Sequence, residues 1–140
     1  MFPPGIKLEQ LNTFAEGNMI GHLGIEFTEV GEDYLVAKMP VDHRTTQPLG
    51  LLHGGASVTL SETMGSLAAT IVLNPTEQYA VGLEINANHI KSARSGYVTG
   101  VCRPIHVGKG THVWETKITN EDGALVCVSR ITMAILNQKK

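Results

Sequence analysis

Only one stretch of this 140-residue chain has the period of a long helix. It runs from Gly54 to about Val72, with Leu60, Met64, Leu67 and Ile71 recurring every three or four residues. Almost everything around it alternates in the period of two that marks half-buried strands. Ile25–Val30 and Tyr34–Val41 form one hairpin through Gly31-Glu32-Asp33. Four further strands follow the helix, at Tyr79–His89, Tyr97–Val107, Thr111–Thr119 and Ala124–Leu136. The turn Asn120-Glu121-Asp122-Gly123 joins the last two. A short amphipathic helix over residues 7–16, ending at Gly17, precedes them all. One long helix among six strands predicts an α+β fold, a single domain over residues 1–140 with one antiparallel sheet packed on a long central helix. Such a sheet leaves a face or an edge uncovered, and pairing with a second copy is the simplest remedy.

Composition narrows the function. Charged residues make up 17% of the chain and hydrophobic ones 42%, against about 25% charged in an average protein, so a disordered tail is excluded. A net charge of −2 offers no positive field for a phosphate backbone, which argues against nucleic-acid binding. No apolar run approaches the roughly 20 residues that span a bilayer. The start, Met-Phe-Pro-Pro-Gly-Ile-Lys, lacks the basic flank and apolar stretch of a signal peptide. Cys102 and Cys127 lie on separate strands without CxxC spacing and read as buried thiols. Together these features predict a cytoplasmic protein.

The long helix carries an oddity. Opposite the Leu60–Met64–Leu67–Ile71 stripe lie Gly55, Thr59, Glu62, Ser66 and Ala69, nearly all small. Glu62 is the only charged residue between Arg44 and Glu77. A face of small residues suits close approach of a ligand or another backbone, so Glu62 is expected in a restricted, partly dry site. A carboxylate short of water is a stronger base, because its charged form loses solvation. It can then serve as a general base or attack directly. The plain alternative is a lone glutamate on a helix surface.

His53-Gly54-Gly55 stands where this helix begins. The first amides of a helix have no internal acceptor and carry its positive end. They can polarise a carbonyl whose oxygen gains charge in a transition state. An ordinary glycine-containing loop is the alternative at this position. From His53 to Glu62 the helix rises roughly 13 Å. The two ends share one site only if the chain folds back or a partner subunit helps to build it.

Other signals fail. Gly108-Lys109-Gly110-Thr111 lacks the preceding glycine and following helix of a phosphate loop. None of the six histidines has metal-ligand spacing. No GxSxG elbow is present, and neither cysteine has the setting of a nucleophile. Trp114 is expected as a core or interface anchor.

The run Gln47-Pro48-Leu49-Gly50-Leu51-Leu52-His53-Gly54-Gly55-Ala56-Ser57, followed by Glu62-Thr63-Met64-Gly65-Ser66, resembles the hotdog-fold acyl-CoA thioesterases. Glu84-Ile85-Asn86-Ala87-Asn88-His89, Arg103-Pro104-Ile105-His106-Val107-Gly108, Met39-Pro40-Val41-Asp42 and the Ser129-Arg130 strand match further segments, so the likeness covers nearly the whole chain. It is nearest the branch that holds the dihydroxynaphthoyl-CoA hydrolases of menaquinone synthesis and the enterobactin-pathway proofreading thioesterases.

The resemblance implies a long helix wrapped by an antiparallel sheet, paired into a homodimer or a dimer of dimers (a homotetramer) with active sites at the dimer interface. It implies hydrolysis of an aromatic acyl-CoA to free acid and CoA, with no cofactor and no metal. Glu62 then activates water or attacks the thioester carbonyl. The Gly54 amide polarises that carbonyl, Gln47 and His53 position the reacting groups, and Ser66 supports the site. Gly82, His89, Lys91, Ser92, His106, Gly108, Lys109 and Gly110 fall where the family grips the CoA arm. Cations near strand ends (Lys91, Arg94 and Lys109) suit phosphates on chemical grounds too, with plain solvation as the alternative. Leu49 replaces a usual aromatic, and Lys91 a usual arginine, giving up a planar fork for a point charge. Both departures bear on acyl specificity more than on chemistry. The rivals are proofreading of a misacylated carrier protein and a non-catalytic acyl-CoA binding module. A hotdog-fold hydratase is disfavoured, since its paired Asp/His motif is missing.

Overall fold

The structure is a computed structural model that describes residues 1–140. Its elements are α1 (Leu8–Thr13), α2 (Met19–His22), β1 (Glu26–Val30), β2 (Leu35–Pro40), α3 (Gly54–Ile71), β3 (Gln78–His89), β4 (Tyr97–Val107), β5 (Thr111–Thr119) and β6 (Leu125–Asn137). The expected strands are all present, with ends moved by one residue at most. The first helix is shorter than its pattern over residues 7–16. The chain turns at Gly17, in the left-handed region, and a separate turn of helix follows, capped by the Asn18 side chain accepting from the Ile20 N–H.

The six strands make one sheet in the order β1-β2-β4-β5-β6-β3, every pair antiparallel. This sheet curves around α3, the hotdog fold expected from the sequence. β3 is an edge: one side pairs with β6 and the other has no partner. No helix is long and apolar enough to cross a membrane.

The face that α3 turns to the sheet differs from the expected stripe. Leu60 and Met64 are buried as expected, but Leu67 and Ile71 are only partly so. The buried arc instead takes in Ser57, Ser61, Gly65, Ala68 and Ala69. It is rotated by roughly 60° toward the small residues. Ala69, expected on the open side, is fully buried. Close approach is the physical reason. A Cβ on Gly65 would stand 2.4 Å from Ile131 Cγ2, and one on Gly100 of β4 would stand 2.7 Å from Met64 Sδ. Small residues let the helix sit nearly on the sheet backbone, while the larger Leu67 is displaced to its flank.

Trp114 is fully buried beneath Gly65, and Phe2 stacks on its ring at 6.0 Å. It is a core anchor. Each large side chain buried in this core contributes about 1.5–3 kcal/mol. Cys102 and Cys127 are free and buried. Burial pushes the Cys102 thiol up to about 12 and raises that of Cys127 as well. Neither can supply a thiolate nucleophile.

Candidate active site

The segment between β2 and α3 is tied down before it reaches the helix. Arg44 makes a close ion pair with Asp42, at 2.7 Å, and holds its carboxyl down at about 2. The buried Thr45 hydroxyl donates to the Pro40 carbonyl, and the His53 N–H donates to the Thr45 carbonyl. Between these ties Gln47 is oriented by its own backbone. Its Oε1 accepts from the Leu49 N–H, which leaves the amide N–H₂ free as a donor.

At the start of α3 the His53 Nδ1 accepts from the Gly55 N–H at 2.8 Å, and the His53 carbonyl accepts from Ala56 and Ser57. Of these first amides only that of Gly54 has no acceptor in the chain. His89 stands close over it: a Cβ at Gly54 would lie 2.8 Å from His89 Nε2, so a larger residue would push that side chain aside. Gln47, Gly54, His89, Lys91 and Ser92 together line one cavity of about 260 Å³. Gln47, expected to position the reacting groups, and three expected CoA-binding residues thus meet the free amide. His53 lines a different cavity with Arg44 and Met19, so within one chain it caps the helix and does not face Gln47.

Glu62 lies elsewhere. It lines a second cavity of about 480 Å³, between α3 and the α1–α2 segment, along with Ser66, Leu67, Phe14 and Phe27. Its Oε1 lies near Gly82 of β3, 3.6 Å from where a Cβ would stand. The partly dry setting expected for Glu62 is not supplied by its own chain, where the residue is exposed. The Ser66 hydroxyl, one turn on, donates weakly to Met133 Sδ at 3.8 Å.

The remaining predicted contacts belong to the Glu62 end. Gly82 pairs with Met133, Met133 with His112, and His112 with Val107, a row leading to the β4–β5 hairpin with His106, Gly108, Lys109 and Gly110. His106 folds over Gly108, while Gly110 opens to solvent. Gly82 and His89 are seven residues apart on β3, roughly 23 Å. The predicted site is therefore divided into two groups, one beside the C-terminal end of β3 at His89 and one beside its middle at Gly82. Sequence reasoning missed the α1–α2 wall of the larger cavity. Its one signal was the apolar face of Leu11 and Phe14 on a helix with no assigned partner.

A profile of the thioesterase superfamily matches residues 49–127. The chain is 56% identical over 131 residues to the 1,4-dihydroxy-2-naphthoyl-CoA hydrolase of Escherichia coli strain K12, covering 94% of this chain and 96% of that protein. It is 47% identical, over 94% of this chain and 95% of the other, to the proofreading thioesterase EntH of Cronobacter turicensis. Among solved structures, a mutant of thioesterase PA1618 from Pseudomonas aeruginosa superposes with a TM-score of 0.96 at 45% identity, covering 98% of this chain and 99% of that one. Thioesterase HI1161 from Haemophilus influenzae gives 0.94 at 46% identity, covering 99% and 96%. The chain belongs to the thioesterase superfamily, with the hotdog fold, and is a thioester hydrolase.

Proposed function

We propose that the protein hydrolyses aromatic acyl-CoA esters, 1,4-dihydroxy-2-naphthoyl-CoA or a similar aryl-CoA of menaquinone synthesis, in active sites shared between two copies of the chain. The substrate rests on the 56% identity to a 1,4-dihydroxy-2-naphthoyl-CoA hydrolase, and the observation that carries the shared site is the separation of an unpaired helix-start amide, at Gly54, from the only carboxylate on α3, at Glu62. The unpaired edge of β3 offers the means of joining them. Tyr79, Val81 and Leu83 are exposed along that strand, and such an edge invites pairing. Antiparallel pairing of β3 with its own copy, centred between Gly82 and His89, sets the Gly54 end of one protomer against the Glu62 end of the other. A homodimer is the minimum assembly; two such dimers make a tetramer.

In that site the thioester carbonyl accepts from the Gly54 N–H, and the Gln47 amide is a second donor within reach. Glu62 takes a proton from water as the water oxygen attacks the carbonyl carbon, or its carboxylate attacks first and water then opens the mixed anhydride. In either route the C–S bond breaks, CoA leaves as the thiolate, and the free acid is released. Lys91, His89 and Ser92 flank the path of the CoA arm, with His106, Gly108, Lys109 and Gly110 on the other copy's hairpin. A substrate built on CoA is consistent with work in the cytoplasm.

Thiol release from benzoyl-, hydroxybenzoyl-, hydroxynaphthoyl- and aliphatic CoA esters tests the reading. Rapid cleavage of the aromatic members is expected. In Glu62→Gln it falls about 10²–10⁴-fold while fold and dimer persist. Full activity in that variant would remove Glu62 from the mechanism. The likeness to EntH favours one further reading, release of wrong acyl groups from a carrier protein. Faster cleavage of an acyl group on a carrier than on CoA would select it.

A further inference from the structure

We infer that Thr63, on the wall of the chamber beside Glu62, is the residue that reads a hydroxyl on the acyl ring. The inference rests on the thioesterase reading and deepens it. The chamber, about 480 Å³, has the size of a small-molecule site. Its walls are mostly apolar: Leu11, Phe14, Ile20 and Phe27 from the N-terminal segment, and Leu67 from α3. Its N-terminal wall is tied to β1 by a side chain. The Asn12 side chain donates to the Phe27 carbonyl at 3.0 Å and accepts from the Phe27 N–H at 2.8 Å. Phe14, just past that tie, is 61% exposed, a large apolar side chain that a flat ring would cover.

Thr63 stands out among the threonines of α3. Thr59 and Thr70 each turn the hydroxyl back to the carbonyl four residues earlier, at 2.9 and 2.8 Å. That is one of the two side-chain rotamers open to a helical threonine. The Thr63 hydroxyl makes no such bond, and Thr63 lines both the chamber and the smaller cavity that adjoins it at Glu62. Ser66 and Thr70 also line the chamber, but their hydroxyls are directed to Met133 Sδ and the Ser66 carbonyl. Thr63 therefore offers the chamber its one uncommitted hydroxyl, a donor and acceptor in an apolar setting. A ring hydroxyl satisfies it, and an unsubstituted ring leaves it without a partner.

The experiment compares hydroxynaphthoyl-CoA with naphthoyl-CoA on the wild type, Thr63→Val and Thr63→Ser. Valine keeps the shape and serine keeps the hydroxyl. In Thr63→Val, kcat/KM for the hydroxylated ester is expected to fall about tenfold, while the plain ester changes by no more than about twofold. Thr63→Ser should retain the discrimination. Equal losses on both esters, or no loss on either, overturn the inference. Titration with the free acids, 1-hydroxy-2-naphthoate against 2-naphthoate, reads the same preference without turnover. A wild type that cleaves no CoA ester yet binds the hydroxylated acid tighter, and loses that preference in Thr63→Val, sinks the proposed reaction and keeps the chamber. No preference in wild-type binding or turnover overturns the role of Thr63.

Discussion

The two regions that β3 links, at His89 and at Gly82, are built differently. At the His89 end a small cavity is fixed by loop hydrogen bonds, a capped helix start and a glycine on which the His89 side chain rests. At the Gly82 end a larger, mostly apolar chamber is closed by two short helices held through Asn12, with one carboxylate at its edge. The first has donors and no carboxylate, and the second has a carboxylate and no free amide donor. On the proposed mechanism each is half of an acyl-transfer site, and association of two copies is a condition of activity.

The contrast can be broken from either end. Gly54→Ala is expected to lower kcat about 10²–10³-fold, because the added methyl displaces His89 and the free amide loses its approach. Steady-state kinetics beside an unchanged melting curve would check it. Leu83→Lys, at the exposed edge of β3, should weaken self-pairing and lower activity in step with the dimer fraction, as followed by sedimentation at several concentrations. Lys91→Ala should act more mildly, raising KM about three- to tenfold with kcat held, and the difference from wild type should shrink as salt rises.

Much of this architecture is legible in the sequence. The alternation of apolar residues marks six strands within a residue of their observed ends, and His53-Gly54-Gly55 marks the start of α3. The buried face of that helix is not legible in the same way, for a physical reason. Apolar periodicity counts large side chains, whereas a sheet that wraps a helix closely selects small ones, so Ser57, Ser61, Gly65 and Ala69 lie inside. The candidate site residues are legible through resemblance, but their division between two ends is not. Spacing along β3 shows that division only once the register of β3 on β6 is known. The chamber wall is illegible because Phe14 and Phe27 reach Glu62 through tertiary contacts that leave no local pattern.

The shared site is tested most directly by mixing its halves. Glu62→Gln and Gly54→Ala chains, each nearly inactive alone, are coexpressed with different tags and purified through both. If each site draws Glu62 from one copy and Gly54 from the other, every mixed dimer holds one intact site and one doubly damaged one. Activity then returns to about half that of wild type per dimer. A mixed dimer as inactive as its parents would mean that each chain completes its own site, and would contradict a site shared between two copies.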